Sequence, residues 1–296
     1  MTADSGITNE PGHNRADSVP FWQCRGRRLT LGRPLVMGIL NVTPDSFSDG
    51  GRHESPAAAV AYGLQLVEEG ADILDVGGES TRPGAAPVAA NEELARVIGV
   101  VRGLVEQTRI PVSVDTHSPA VARAALEAGA VIVNDVTGLR DPEMRAVVRA
   151  AGAGAVIMHM QGEPRTMQRT PAYTDVVGEV YDWLQRRIGE AVAEGLAPDT
   201  LAIDPGIGFG KTSNHNLALL GALRRFAEMG PPLLVGLSRK RFIGDITGAP
   251  VDERLPGSLT ALVWCIWRGA SILRVHDVRA SVAAVRMATA LAGASA

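Results

Sequence analysis

The sequence predicts a (β/α)8 barrel in a single domain, and three observations lead to this fold class. Eight short apolar runs alternate with eight amphipathic helical stretches, and the repeat fills about 260 residues, a usual length for such a barrel. The runs are nearly continuous in apolar residues, as in strands buried on both faces. Polar residues follow nearly every run. A doubly wound open sheet, the alternative fold, would bind its ligand at one switch point, so this distribution favours a closed ring.

The composition excludes several classes of protein. Of the 296 residues, 46% are hydrophobic and 21% are charged, which is ordinary for a globular protein. The formal net charge of -3 gives no general attraction to nucleic acid or to a membrane surface, so we expect neither as a partner. No apolar run is long enough to span a membrane, and no signal peptide is recognisable. Cys24 and Cys265 are too far apart for a disulfide framework or a zinc knuckle, so we expect reduced thiols and a cytoplasmic location.

The predicted elements follow in chain order. Residues 1–20 are polar and are expected to form a disordered tail before a barrel domain at 21–296. Residues 21–31 surround Arg25-Gly26-Arg27 and predict a hairpin that covers one end of the barrel. The strands are predicted at 35–40, 73–76, 112–114, 131–133, 155–158, 201–203, 233–235 and 272–275. The helices are predicted at 55–69, 91–107, 118–128, 141–151, 174–194, 214–229, 253–269 and 277–293.

Cap residues mark where several of these helices begin and end. Ser55, Ser118 and Asp141 each stand directly before a proline, the arrangement of an N-cap residue before the first helical position. Glycine closes other helices, at Gly70, Gly129, Gly152, Gly195, Gly230 and Gly269. These signals support the predicted boundaries.

The exit of the sixth predicted strand is shaped to hold a ligand. The run ends at the carboxylate of Asp204 and passes through Pro205 into a loop with glycine at 206, 208 and 210. Glycine lets the backbone approach a ligand closely, and proline ends the strand ladder. A nucleotide-binding P-loop would also end in Gly-Lys-Thr, but it needs glycine at the position that Pro205 occupies. We therefore interpret the loop as a binding loop of another kind.

The residues that end the eight runs form one polar set, because the carboxyl ends of parallel strands meet at one mouth of a barrel. We expect the following residues to face that mouth: Asn41, Glu79, Asp115, Asn134, Asp135, His159, Gln161, Asp204, Ser238, Arg239, Lys240, Arg274, His276 and Asp277.

Within this set, we expect a site for a flat heterocycle. Two carboxylates, an amide and an ammonium group lie between apolar walls, and the residues are Asp115, Asn134, Asp204, Lys240, Met158 and Phe209. A carboxylate accepts two parallel N–H bonds from the amide-like edge of an aminopyrimidinone. In the alternative interpretation, the carboxylates pair with lysine and arginine and only balance the charges at the top of the barrel.

Two further predictions concern an anion and a metal. Arg274 and His276 are two residues apart on a strand, so they share a face and are placed to bind an anion near the last two loops. No cluster of His, Cys and carboxylates has the spacing of a zinc site. Magnesium, held mainly by ligand phosphates and by Asn41, remains open. The first two loops are long and rich in Gly, Ser, Asp and Pro, so we expect them to close over the ligand.

Six stretches, taken together, resemble the dihydropteroate synthase family. They are Ile-Leu-Asn-Val-Thr-Pro-Asp-Ser-Phe-Ser-Asp-Gly-Gly at 39–51, Asp-Val-Gly-Gly-Glu-Ser-Thr-Arg-Pro-Gly at 75–84, Met-His-Met-Gln-Gly at 158–162, Asp-Pro-Gly-Ile-Gly-Phe-Gly-Lys at 204–211, Ser-Arg-Lys-Arg at 238–241 and Arg-Val-His-Asp-Val at 274–278. The resemblance implies a (β/α)8 barrel that joins 6-hydroxymethyl-7,8-dihydropterin diphosphate to p-aminobenzoate in folate biosynthesis, giving 7,8-dihydropteroate and diphosphate. It also implies a homodimer and a target of sulfonamides.

The resemblance assigns roles to individual residues. It implies that the pterin is bound by Asp115, Asn134, Asp204 and Lys240, with Thr81, Met158 and Phe209 nearby. Asn41 would reach a magnesium ion on the diphosphate, whose oxygens would contact Arg82, Arg274 and His276. The p-aminobenzoate pocket would be formed by Phe47, Arg82, Pro83, Ser238 and Lys240. The catalytic groups would be Asp115, Lys240, Arg274 and His276.

Two alternative functions remain open at this point. A non-catalytic pterin-binding paralogue would be expected to lose Lys240, Arg274 or loop residues, and the chain has all of them. A pterin-dependent methyltransferase would have no use for a diphosphate site and would need a corrinoid partner. The stretch after Asp115 varies from the commonest form of the family beyond Thr116, although the acid itself is present.

Overall fold

The computed structural model describes residues 19–43, 56–80, 88–163 and 165–294. Most of the predicted disordered tail therefore lies outside the described residues. So do Ser55 and four residues that the resemblance places near the ligands, namely Phe47, Thr81, Arg82 and Pro83.

The described residues form a two-stranded hairpin followed by strands and helices in alternation. The strands are β1 (Phe21–Cys24), β2 (Arg27–Thr30), β3 (Leu35–Asn41), β4 (Ile73–Gly77), β5 (Val112–Asp115), β6 (Ile132–Asp135), β7 (Gly154–Met158), β8 (Leu201–Asp204), β9 (Leu234–Gly236) and β10 (Ile272–Val275). The helices are α1 (Pro56–Glu68), α2 (Ala90–Gln107), α3 (Pro119–Glu127), α4 (Pro142–Ala151), α5 (Val176–Ala193), α6 (Ser213–Gly221), α7 (Leu223–Ala227), α8 (Arg241–Thr247), α9 (Leu255–Trp267) and α10 (Val278–Ala294).

Eight of the strands form one parallel sheet that closes on itself. Their order is β8-β7-β6-β5-β4-β3-β10-β9, and each neighbouring pair is parallel. Ile203 of β8 forms a parallel bridge with Leu233, directly before β9, and its N–H donates to the carbonyl oxygen of Pro232 at 2.9 Å. The two ends of the sheet therefore meet. The predicted (β/α)8 barrel is confirmed, and the open doubly wound sheet is wrong.

The hairpin closes the amino-terminal end of this barrel, as predicted. Trp22 and Cys24 are fully buried against the inward-facing residues of the strands, including Met37, Ile132 and Ala202. The indole Nε1 of Trp22 donates to the carbonyl oxygen of Thr200 at 2.8 Å, which satisfies the one polar atom of a buried ring. The lower half of the barrel interior is thus an apolar core covered by an apolar plug.

The upper half of the interior is polar, and the alternation of strand side chains explains why. Along a strand, every second residue points inward, so Asp75 and Asp115 face the barrel axis while Val114 faces the helices. Buried charges are tolerated only when they are paired or hydrogen-bonded. The polar layer therefore lies where the chain can supply partners, at the carboxyl ends of the strands.

The helix boundaries agree with the cap signals, with two exceptions. The side chains of Ser118 and Asp141 accept hydrogen bonds from the first turns of α3 and α4. The helix predicted at 214–229 is instead the pair α6 and α7, which is interrupted at Ala222. Helix α8 was not predicted, because seven residues are too few to show a helical period. Among the described residues, no helix combines the length and the apolar character needed to cross a membrane.

Candidate active site

The polar residues predicted to bind a heterocycle lie together inside the carboxyl end of the barrel. Asp115 is the last residue of β5 and is in register with Asn134 on β6. Asp204 is the last residue of β8 and is in register with Met158 on β7. These four side chains are buried, although they come from distant parts of the chain. The structure therefore brings most of the predicted pterin site into one place.

Arg274 is the centre of a buried ion-pair network. Its Nε lies 2.6 Å from Oδ2 of Asp75, and its Nη2 lies 2.5 Å from Oδ2 of Asp115. The same Oδ2 of Asp75 accepts a hydrogen bond from Nδ2 of Asn134 at 3.0 Å. Burial alone would lower the pKa of Arg274, but the two carboxylates outweigh it and raise the pKa. The guanidinium therefore remains charged.

This network changes the role that the sequence suggested for Arg274. The sequence placed Arg274 beside an anion, and the structure adds two ion pairs, to carboxylates of β4 and β5, through Nε and Nη2. Within the described residues, Nη1 is the nitrogen that lies outside these two ion pairs. Because a guanidinium carries five N–H groups, the edge formed by Nη1 and the second N–H of Nη2 is the part of Arg274 that could bind a phosphate.

Asp115 has the electrostatic character of a ligand-binding carboxylate. Burial raises the pKa of Asp115 to about 7, and Arg274 opposes this shift while Asp75 adds to it. Its Oδ1 is buried and has no hydrogen-bond partner among the described residues. Such an atom is costly unless a donor is supplied. A bound molecule with an N–H group would satisfy it and would favour the ionised carboxylate.

Asp204 and Lys240 face each other across the loop after β8. Oδ1 of Asp204 accepts a hydrogen bond from the backbone N–H of Gly206 at 2.7 Å. Nζ of Lys240 donates to the carbonyl oxygen of Ile207 and lies 4.4 Å from the centroid of the Phe209 ring. Burial lowers the pKa of Lys240 to about 8, although Asp204 opposes the shift. The ammonium group is thus held at the wall of the site.

An apolar wall lies beside these charges. Phe209 packs against a small cluster that is separate from the main core and consists of Val136, Met158, Met160 and Met167. Together with the polar residues, this wall defines a slot with one hydrogen-bonding edge and one apolar face. A planar heterocycle matches that combination, because its edge carries donors and acceptors and its faces do not.

The loop after β8 is held by contacts that require glycine. A side chain at Gly206 would place its Cβ 1.9 Å from the carbonyl oxygen of His159, and one at Gly210 would place it 2.5 Å from that of Gln161. Both glycines have positive φ, 69° and 61°. The loop after β8 is therefore packed backbone against backbone on the loop after β7. The sequence predicted that glycine permits close approach to a ligand, whereas the close contacts of Gly206 and Gly210 in the structure are with another loop.

Lys211 and His159 join these two loops, and sequence reasoning gave Lys211 no role. The buried Nζ of Lys211 lies 3.0 Å from Nδ1 of His159 and donates to the carbonyl oxygen of Phe209 at 3.0 Å. Burial lowers the pKa of Lys211 to about 7. His159 was expected at the mouth, yet it is buried and packs edge-on against Trp183. The sequence signal that could have indicated this role is the position of Lys211 directly after a glycine-rich loop.

Asp135 also differs from its expected position. It follows Asn134 on β6, so its side chain points to the opposite face of the sheet. Its carboxylate accepts hydrogen bonds from the backbone N–H groups of Thr137 and Leu139. Asp135 therefore shapes the turn after β6 and lies outside the slot.

Ser238 and His276 form the rim next to Arg274. The hydroxyl oxygen of Ser238 lies 3.2 Å from Nδ1 of His276 and accepts a hydrogen bond from its backbone N–H at 3.3 Å. Arg239, between Ser238 and Lys240, has the left-handed φ of 58°. Its side chain binds Asp277, with Nε 2.9 Å from Oδ2. This strained residue fixes the direction of both neighbouring side chains.

Asn41 is the residue predicted to contact a metal. It ends β3, is partly exposed, and is in register with Gly77. Among the described residues, no group of three or more His, Cys, Asp or Glu side chains is arranged to hold a metal ion.

Residues 37–276 match the family model described as pterin binding enzyme. The dihydropteroate synthase of Escherichia coli K12 is 47% identical over 266 residues, which cover 90% of this chain and 94% of that protein. The chain belongs to the dihydropteroate synthase family.

Solved structures of this family share the fold. The dihydropteroate synthase of Xanthomonas albilineans with 4-aminobenzoic acid has a TM-score of 0.88 and 52% identity, covering 93% of this chain and 98% of that chain. The same protein in complex with 7,8-dihydropteroate has a TM-score of 0.84, 49% identity and coverage of 92% and 98%. The Yersinia pestis enzyme with a sulfonamide drug has a TM-score of 0.88, 42% identity and coverage of 92% and 99%.

The buried imidazole of His159 predicts a loss of stability in acid. Burial, with help from Lys211 and Arg140, lowers the pKa of His159 from 6.5 to about 2. Below pH 6.5 the unfolded chain therefore binds a proton that the folded chain excludes. The free energy of unfolding should fall by at most about 1.4 kcal/mol per pH unit from this residue.

Urea denaturation between pH 7 and pH 4.5 measures this contribution. His159→Gln, which keeps an acceptor for Lys211, should make the pH dependence shallower. His215→Gln, at a partly exposed position in α6, is the control for removing a histidine. An unchanged slope in His159→Gln would contradict a neutral buried imidazole.

Proposed function

We infer that the chain is a dihydropteroate synthase, a transferase that joins 6-hydroxymethyl-7,8-dihydropterin diphosphate to p-aminobenzoate and releases 7,8-dihydropteroate and diphosphate. The observation that carries this function is the slot formed by the buried side chains of Asp115, Asn134 and Asp204 with the half-buried Lys240, in a chain of this family. The relatives and their complexes with 4-aminobenzoic acid and 7,8-dihydropteroate support the same reaction. Neither the non-catalytic paralogue nor the methyltransferase gains support from them.

The slot suggests how the pterin binds. We propose that Asp115 and Asp204 accept the N–H groups of the aminopyrimidinone and that Asn134 adds a contact on the same edge. Lys240 donates to a carbonyl oxygen or ring nitrogen, and Met158 and Phe209 cover the faces of the ring. The unpartnered Oδ1 of Asp115 supports this arrangement. The proposed residues Thr81, Arg82, Pro83 and Phe47 belong to the segments outside the described residues.

The other substrate groups are proposed to lie at the rim. One edge of Arg274, together with His276, contacts the diphosphate, while Ser238 and Lys240 contact p-aminobenzoate. The position of Ser238 within 3.2 Å of the His276 ring supports two adjoining subsites, because both side chains end at the same point of the rim. The sulfonamide complex of a relative leads us to propose that this rim is also the sulfonamide site.

The reaction then requires charge stabilisation and exclusion of water. The bond between the pterin methylene carbon and the diphosphate oxygen breaks, and its electron pair leaves with diphosphate. Arg274 and His276 neutralise the departing charge, while Asp115 stabilises the cationic methylene pterin. The lone pair of the arylamine nitrogen forms the new C–N bond, and the surplus proton leaves that nitrogen for solvent. No side chain forms a covalent bond with the substrate.

Magnesium is part of this proposal. The side-chain oxygen of Asn41 is a hard, neutral donor of the kind that Mg²⁺ accepts beside phosphate oxygens and water. Asn41 lies at the carboxyl end of β3, on the same mouth as the slot. When bound, the cation would supply positive charge to the leaving diphosphate.

We also propose a homodimer and a cytoplasmic location. Trp264 and Trp267 are exposed one turn apart on α9, and Met287 and Leu291 are exposed one turn apart on the neighbouring α10. Large apolar side chains on adjacent helices favour a partner surface, and a second copy of the chain would cover them. The two cysteines are buried free thiols, which is consistent with a reducing compartment.

The two subsites should separate in binding experiments. Asp204→Ala or Lys240→Ala should weaken binding of diphosphate-free 6-hydroxymethylpterin at least about 100-fold, because each removes a charged hydrogen-bonding group. His276→Ala should leave that affinity nearly unchanged and should weaken binding of the diphosphate ester about tenfold. Isothermal titration calorimetry of both ligands measures the difference.

Asp199→Ala is the matched control for Asp204→Ala, because Asp199 is exposed at the opposite end of β8. Equal losses for diphosphate-free pterin in the Asp204, Lys240 and His276 variants would refute the two-subsite arrangement. Formation of dihydropteroate by the unaltered protein, measured with both substrates and magnesium, tests the function itself.

The proposed metal contact predicts a specific defect. Asn41→Ala should raise the magnesium concentration for half-maximal rate about tenfold, because one ligand is lost. Affinity for diphosphate-free pterin should not change. Initial rates over a magnesium titration measure the first effect and calorimetry the second. A magnesium dependence equal to that of the unaltered protein would exclude Asn41 as a ligand.

The proposed dimer surface is testable by light scattering coupled to size-exclusion chromatography. The double variant Trp267→Glu/Met287→Glu should shift the mass from dimer to monomer, because it places charges in an apolar interface. Val192→Glu, at an exposed position on α5, should leave the dimer intact. A monomeric unaltered protein would rule out the dimer.

A further inference from the structure

We propose that Asp75 is a positioning residue that fixes which group of Asn134 faces the pterin. The inference rests on the proposed function and deepens it. Asp75 is the first residue of the stretch 75–84. Neither the sequence pattern nor the family resemblance assigned it a role. Asp75 does not touch the substrate and acts through two residues that do.

Asp75 is buried below the residues that are proposed to contact the ligand. Asp75 is the central residue of β4 and has no exposed surface. Its register partners are Ile39 on β3 and Ser113 on β5, whereas Asp115 is in register with Gly77, two residues nearer the mouth. The carboxylate therefore lies one layer below the slot, beneath the residues that bind the ring.

A single oxygen of Asp75 receives two donors from the slot. Oδ2 accepts from Nε of Arg274 at 2.6 Å and from Nδ2 of Asn134 at 3.0 Å. An amide donates only through its nitrogen and accepts only through its oxygen. Nδ2 of Asn134 is directed to Asp75 and uses one of its two N–H groups there, so Oδ1 is the acceptor that Asn134 presents on its other side. Asn134 is thus placed to accept a hydrogen bond from an N–H group of the pterin.

The charge of Asp75 makes this orientation the favoured one. If the amide of Asn134 turned over, its oxygen would lie against the carboxylate, and two acceptors would face each other in a buried site. Arg274 compensates the buried charge of Asp75, so the carboxylate is stable in this place. Asp75 therefore couples the orientation of Asn134 to the position of Arg274.

Exchange of the two side chains tests this coupling directly. In Asp75→Asn/Asn134→Asp, the amide at 75 donates upwards to the carboxylate at 134, which still presents an acceptor to the pterin. Asn134→Asp alone places two carboxylates at hydrogen-bonding distance and should weaken binding of diphosphate-free 6-hydroxymethylpterin at least 100-fold. The double variant should recover affinity to within about tenfold of the unaltered protein. Calorimetry measures affinity, and thermal denaturation confirms folding.

Two further measurements keep the test decisive if a charged variant fails to fold. Asp75→Asn removes the carboxylate charge and Asn134→Ser removes the amide, and neither adds a charge, so their double-mutant cycle measures the coupling between the two side chains. If the two side chains are coupled, the product of the fold-losses in affinity of the two single variants should clearly exceed the fold-loss of the double variant. Asp72→Asn is the control, because Asp72 pairs with Arg33 next to the same strand but far from the slot.

The outcomes separate the inference from the proposed function. Two results would overturn the positioning role of Asp75. In the first, the loss of pterin affinity in the double variant equals the product of the two single losses. In the second, the exchange variant folds but does not recover pterin affinity. In either case the unaltered protein would still bind pterin and form dihydropteroate. Failure of the unaltered protein to do so would instead overturn the proposed function.

Discussion

The ion pairs between Arg274 and the carboxylates of Asp75 and Asp115 are the interaction on which the site depends. An unpaired charge is energetically costly in the interior of a barrel. The proposed recognition of a pterin edge nevertheless uses carboxylates that are shielded from water. The single guanidinium resolves this conflict, because it pairs with two carboxylates drawn from adjacent strands and leaves Oδ1 of each unpartnered among the described residues. The slot is thereby charged and buried at once.

The loops around the slot are held in fixed conformations, although several of their residues have no side chain. The glycines of the loop after β8 allow its backbone to lie on the loop after β7, and Lys211 then ties the two together through carbonyl oxygens and His159. Arg239 has a left-handed backbone conformation, and its ion pair with Asp277 holds the loop after β9 in place. These contacts hold the side chains that are proposed to bind the substrate in fixed positions.

The sequence allowed the barrel, its hairpin and the members of the slot to be predicted, because apolar periodicity and the residues at strand ends are local signals. It could not show which of those residues touch. Arg274 and Asp75 are separated by 199 positions, and only the closure of the ring makes them partners. Asp75 was overlooked because a charge inside an apolar run looks like part of the strand, and His159 was misplaced because burial beneath a neighbouring loop is a tertiary property.

The hairpin at the base of the barrel limits the routes by which small molecules can reach the site. With Trp22 and Cys24 packed against the inward-facing residues of the strands, the base of the barrel is closed, so the proposed reactants and products would pass through the opposite, carboxyl-terminal end. In the proposed arrangement, an arylamine bound at the rim would block exchange of the pterin below it. The closed base would therefore favour binding of pterin diphosphate before p-aminobenzoate.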